Sequence, residues 1–127
     1  MLRSHHIGVY VSDMEISLQF YLTAFGYELM DRFPHTSSGK DIAFIGRDGR
    51  VALELIKPHF PESFERPSAG RIDHLAWQVL DINAEIERLT ALRIVFNSTS
   101  PLTVLDGRKI AIFHGPDGER LELVELP

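Results

Sequence analysis

The sequence predicts an α+β domain built from two copies of one strand, helix, three-strand module. Two observations lead there: the chain matches itself at a fixed offset, and both halves present the same order of elements. At an offset of 71 − 3 = 68 residues, Arg3, His6, Val11 and Asp13 fall on Arg71, His74, Val79 and Asp81. Gly39, Ile42 and Ala43 fall on Gly107, Ile110 and Ala111, and Leu53, Glu54 and Leu55 on Leu121, Glu122 and Leu123. The matches gather at the beginning and end of each half, with no gap.

The first module spans about residues 1–57. Ile7, Val9 and Val11 alternate with His6, Gly8 and Tyr10, which predicts a strand. Ser12-Asp13-Met14-Glu15 reads as a capping box that opens a helix with an apolar stripe of Ile16, Phe20 and Leu22 and a stop at Gly26. Strands are expected over 27–33, 41–45 and 50–57, the last two joined by the turn Gly46-Arg47-Asp48-Gly49. Residues 58–70, with three prolines, read as a linker.

The second module, about 71–127, restarts the pattern. A strand is expected over 72–79, a helix capped by Asp81 and running to about Leu92, and a short strand over 94–97. Residues 101–105 and 108–114 then flank the Asp106-Gly107 turn. Gly115-Pro116-Asp117-Gly118 leads into a last strand over 120–126.

Composition narrows the function classes. At 127 residues the chain suits one domain that buries roughly two thirds of its unfolded surface. Thirteen Lys and Arg against eighteen Asp and Glu leave a net charge of −5 without a basic block, which argues against nucleic acid as a partner. No run of eighteen apolar residues suggests a membrane span. The absence of Cys removes disulfides, thiolate zinc sites and cysteine nucleophiles. With no apolar signal region at the amino terminus, the expected location is the cytoplasm.

Strand alternation picks out the chemistry. His6 points away from Ile7 and Val9, and His74 points away from Leu75 and Trp77. Glu54 alternates against Leu53 and Leu55, and Glu122 against Leu121 and Leu123. Each half thus offers one imidazole and one carboxylate at the same spacing, 54 − 6 = 48 and 122 − 74 = 48, on its non-helical face. If both halves curve with that face inward, His6, Glu54, His74 and Glu122 suit one divalent cation such as Ni, Co, Zn or Mn, with open positions for water. Two carboxylates left there without such an ion would be buried at a cost. Tyr10, Phe44 and Gln78 are the candidate substrate contacts, and Trp77 falls on the helix side, as core.

His6-Ile7-Gly8-Val9-Tyr10-Val11-Ser12-Asp13, Phe25-Gly26-Tyr27, Leu53-Glu54-Leu55, Asp73-His74-Leu75-Ala76 and Gly115-Pro116-Asp117-Gly118 with Leu121-Glu122-Leu123 resemble the vicinal oxygen chelate superfamily of glyoxalases, bleomycin-resistance proteins and dioxygenases. The resemblance implies paired βαβββ modules that form a cupped eight-stranded mixed sheet with helices on the outer face, as a homodimer acting on a small-molecule substrate. The ligand order His, Glu, His, Glu is similar to that of glyoxalase I. It implies a lyase that removes a proton next to a carbonyl through a metal-stabilised enediolate, with Glu122 the principal base and Glu54 its partner.

His5-His6-Ile7-Gly8 and Glu54-Leu55-Ile56-Lys57-Pro58 also look like the methylmalonyl-CoA epimerase pattern. Such an enzyme would draw on Lys40, Lys57, Arg71, Arg108 and Lys109 for the CoA phosphates. A third alternative is a metal-free binder that holds a planar drug between aromatics.

Overall fold

A computed structural model describes residues 3–60, 72, 74–104 and 107–127. The order of elements is β1 (Ile7–Tyr10), α1 (Met14–Phe25), β2 (Glu28–Phe33), β3 (Lys40–Arg47), β4 (Arg50–Pro58), β5 (Leu75–Gln78), α2 (Ile82–Ala91), β6 (Leu102–Val104), β7 (Arg108–His114) and β8 (Arg120–Glu125). The two βαβββ modules expected from the repeat are present. Their strands form two four-stranded mixed sheets, ordered β1-β4-β3-β2 and β5-β8-β7-β6. The chain divides into two units, Met1–Glu65 and Arg66–Pro127. Among the described residues, no helix is long and apolar enough to cross a membrane.

The offset of 68 carries into backbone detail. β1 pairs in parallel with β4 through Gly8 and Glu54, and β5 pairs in parallel with β8 through Ala76 and Glu122. Both helices are opened by an aspartate with φ −136°: Asp13 accepts from the Ile16 amide at 3.1 Å, and Asp81 from the Ala84 amide at 3.0 Å. The N-cap is therefore Asp13, one residue on from the Ser12 of the expected capping box. Glu15 does not close such a box; it meets Arg32 Nη1 at 3.1 Å.

The core of each unit lies between its helix and one face of its sheet. In the first unit Val11, Met14, Leu18, Tyr21, Ala24, Ala43, Ile45, Leu53 and Leu55 are buried. The expected α1 stripe is thereby corrected. The buried face runs through Met14, Leu18 and Tyr21, spaced by four and three residues, and Ile16 is 55% exposed. Twelve mostly apolar residues allow more than one stripe, and the sheet selects the one holding the Tyr21 ring, which stacks on Phe25 at 5.6 Å. In the second unit Ile82, Leu89, Ala111, Phe113, Leu121 and Leu123 form the core.

Other boundaries move for local reasons. The β3–β4 turn tightens to Asp48 and Gly49, both at positive φ (53° and 74°), the backbone that a two-residue hairpin requires. The short strand expected over 94–97 does not form a ladder. Arg93 leaves α2 at φ 67°, one bond links the Asn97 amide to the Ile112 carbonyl at 2.8 Å, and the Phe96 ring packs on Phe113 at 5.1 Å. The apolar residues there serve packing instead of pairing. The strand expected from Ile72 begins at Leu75. Most of the expected linker over 58–70, and Asp106 of the expected turn, lie outside the described residues, while Pro58 closes β4.

Two interactions define expected stabilities. The Arg32 guanidinium donates from Nε to Asp41 Oδ1 at 2.9 Å and from Nη2 to Oδ2 at 2.8 Å, a two-pronged bond whose side chains are 28% and 13% exposed. These bonds outweigh partial burial and hold Arg32 above its ordinary pKa, with Glu15 assisting. Allowing for screening, Asp41→Asn is expected to cost about 1–2 kcal/mol in urea unfolding. In α1 the Ser17 hydroxyl is buried and meets no hydrogen-bond partner among the described residues. Ser17→Ala is expected to raise stability by up to about 1 kcal/mol in the same measurement.

Candidate functional site

Leucines place the carboxylates. Leu53 and Leu55 are 2% and 0% exposed, and Leu121 and Leu123 are 0% and 3%. The pleat therefore turns Glu54 and Glu122 to the opposite face of each sheet. Each glutamate sits on a central strand between two neighbours: Gly8 and Phe44 flank Glu54, and Ala76 and Ile112 flank Glu122. The small residues leave room for the acid. A methyl at Gly8 would stand 3.6 Å from Glu54 Oε1 and 3.3 Å from Ile56 Cδ1.

In the first unit His6 lies edge-on to Phe44, with ring centroids 5.5 Å apart, which places it on the Glu54 face. Its Nδ1 lies 2.7 Å from His5 Nδ1, so one ring donates and the other accepts, and Nε2 is the nitrogen His6 has left for another partner. His5, which is not among the four candidate ligands, is a contact whose only signal in the sequence is the doubled histidine. Phe44 stands between His6 and Phe33, whose ring centroid is 6.3 Å away. Tyr10 pairs with Ile56 on the same face, and Lys40 Nζ lies 5.9 Å from its ring centroid.

In the second unit His74 Nε2 and Glu122 Oε2 approach to 3.7 Å, with side chains 36% and 12% exposed. That is too long for a hydrogen bond and within reach of a shared cation, since two donors each about 2.1 Å from one ion lie at most about 4.2 Å apart. Gln78, paired with Val124, is exposed and alternates onto the His74 side. Trp77, opposite Leu123, takes the core side as expected. Glu125 serves the fold, since its Oε2 accepts from the Ile82 amide at 2.9 Å and ties β8 to the start of α2.

Each unit thus presents one His and one Glu on the face away from its helix. Among the described residues, no group of three or more His, Asp or Glu side chains is gathered closely enough to hold a metal ion. Imidazole and carboxylate without thiolate are donors that suit a divalent ion, and the His74 and Glu122 spacing fits two of its positions. Of the other candidates, Arg71 lies outside the described residues, and Arg108 and Lys109 are exposed on β7. His59 packs on His35 at 5.3 Å, and its Nε2 lies 2.8 Å from the Pro34 carbonyl, to which it donates. His114 is exposed and pairs with Arg120.

Comparison with known proteins agrees with this architecture. The chain is 33% identical over 125 residues to the uncharacterized protein YwbC of Bacillus subtilis (strain 168), covering 97% of each. A glyoxalase family protein from Enterococcus faecalis superposes with a TM-score of 0.81 at 25% identity, over 97% of both chains. The trypanothione-dependent glyoxalase I of Leishmania major shares the fold, with a TM-score of 0.75 at 21% identity over 98% of this chain and 87% of that one. The family model of the glyoxalase/bleomycin resistance protein/dioxygenase superfamily matches residues 5–112, and the chain belongs to that superfamily.

Proposed function

We propose that the chain is a divalent-metal-dependent lyase of the glyoxalase I type, with His6, Glu54, His74 and Glu122 as ligands. The observation that carries this reading is the Glu122 carboxylate, 12% exposed, which faces the His74 imidazole at 3.7 Å. An imidazole nitrogen and a carboxylate oxygen at that separation can both ligate one cation placed between them. The same His and Glu recur 68 residues earlier, on the equivalent face of the first unit. The similarity to the Leishmania glyoxalase I supports the choice of chemistry.

A bound divalent ion would supply Lewis-acid stabilisation of negative charge on a substrate oxygen, worth several kcal/mol. The chain's own residues do the proton work. Glu122 takes the proton next to the substrate carbonyl. Glu54, as its partner, gives a proton of its own to the neighbouring carbon from the other side and is reprotonated by water, while Glu122 releases the proton it took to water. His6 and His74 serve as ligands, and with its Nδ1 engaged by His5, His6 presents Nε2. Tyr10, Phe44 and Gln78 bind the small-molecule substrate, and the protein acts as a homodimer in the cytoplasm.

Protein purified under metal-replete conditions is expected to hold stoichiometric Ni, Co, Zn or Mn and to turn over the methylglyoxal–glutathione hemithioacetal. Elemental analysis and a side-by-side assay with methylmalonyl-CoA check this. Absence of stoichiometric metal would replace the reading with a metal-free binder, and turnover of the acyl-CoA alone with an epimerase. Glu122→Gln is expected to lower kcat by about 10²–10⁴ while metal content is kept; full turnover would remove Glu122 as the base.

A further inference from the structure

The Glu54 face of the first sheet is polar at one end, apolar across its middle and cationic at the other end. Glu54, Gly8 and Phe44 share one row across the strands, with Asp31 opposite Phe44. The next row is Tyr10, Ile56, Ile42 and Phe33. Beyond it Lys40 pairs with Pro58. Rows two residues apart are separated by about 7 Å, so the Lys40 backbone stands about 13 Å from the Glu54 row. The Lys40 side chain leans back over Tyr10, shortening that span.

The backbone of Lys40 is held on both sides. Its carbonyl accepts from the Thr36 amide at 3.1 Å and the Thr36 hydroxyl at 2.9 Å, and its amide donates to the same hydroxyl at 3.1 Å. The preceding residue, Gly39, turns at φ 73°, and its carbonyl accepts from the His59 amide at 2.9 Å. Among the described residues, no carboxylate comes within ion-pairing distance of the ammonium. Tyr10 and Phe33 remain 39% and 47% exposed beside it, a large aromatic surface for the wall of a substrate face.

We infer that Lys40, seated over Tyr10, is the specificity-determining cation of this face. It selects substrates whose reacting end is followed, roughly 7–13 Å away across an apolar or planar segment, by a carboxylate or phosphate. This deepens the proposed function, because it takes the Glu54 face as the substrate face. An anion placed there meets the Lys40 ammonium beside apolar walls, where its attraction is stronger than in water.

The test uses the full chain stripped of metal and three probes: 2-naphthoate, 2-naphthyl phosphate and uncharged 2-naphthol, titrated while the amide signals of Tyr10, Ile42 and Phe44 are followed by NMR. The charged probes are expected to bind about tenfold tighter than naphthol and to shift those signals. Lys40→Gln should bring all three to the naphthol affinity, and Lys40→Arg should restore the difference. A stronger response to the phosphate ester assigns the subsite to phosphates, and one equal or stronger for the carboxylate assigns it to carboxylates. Equal binding of charged and neutral probes by the natural chain would overturn the inference. So would unchanged affinities in a Lys40→Gln protein whose amide spectrum remains that of the folded chain. Metal content and turnover do not enter this titration, so its failure and failure of the lyase reading are separable.

Discussion

Burial of four leucines on two central strands is the constraint from which the candidate site follows. Leu53, Leu55, Leu121 and Leu123 are each worth about 1.5–3 kcal/mol when removed from water. A slip of one residue in β4 or β8 would expose two of them and drive a carboxylate into the core. The hydrophobic effect therefore fixes the positions of Glu54 and Glu122 without any polar contact having to hold them. Gly8 and Ala76, one place across the ladder, leave the acids room to stand upright on the sheet.

The two units reach the same frame with different fastenings. In the first, Arg32 bridges Asp41 and Glu15 and so links β2, β3 and α1. In the second, Glu125 accepts from the first amide of α2, joining β8 to that helix. Aspartate caps both helices in the same geometry, which leaves the remaining surface positions free to diverge. The faces that carry His and Glu differ as well: Tyr10 has Gln78 as its counterpart and Phe44 has Ile112, while Lys40 has another cation, Arg108. The first unit is thus the aromatic one, in keeping with the proposal that a substrate lies along its Glu54 face.

Much of this was legible in one dimension. Strand alternation around Leu53, Leu55, Leu121 and Leu123 depends only on neighbours in sequence, so the opposite faces of Glu54 and Glu122 could be read directly. The offset of 68 predicted the equal registers Gly8 with Glu54 and Ala76 with Glu122. Choices among local alternatives were not legible. Ser12 and Asp13 are both good caps, and the α1 helix is apolar on more than one side, so the pairing of Glu15 with Arg32 and the burial of Tyr21 depended on what lies across from them. Residues 94–97 carry strand-like alternation, but the ring of Phe113 claims Phe96 for packing.

The sequence by itself determined the duplicated modules, the family, the two helices, and the strand faces of Glu54 and Glu122, with His6 and His74 one residue ahead of β1 and β5, because repetition and alternation are properties of residue order. Tertiary structure decided which helix face is buried, that His5 engages His6, that His74 stands 3.7 Å from Glu122, and that Lys40 lies over Tyr10. Those depend on distances between side chains, and such distances are set by packing, where many groups compete for the same space.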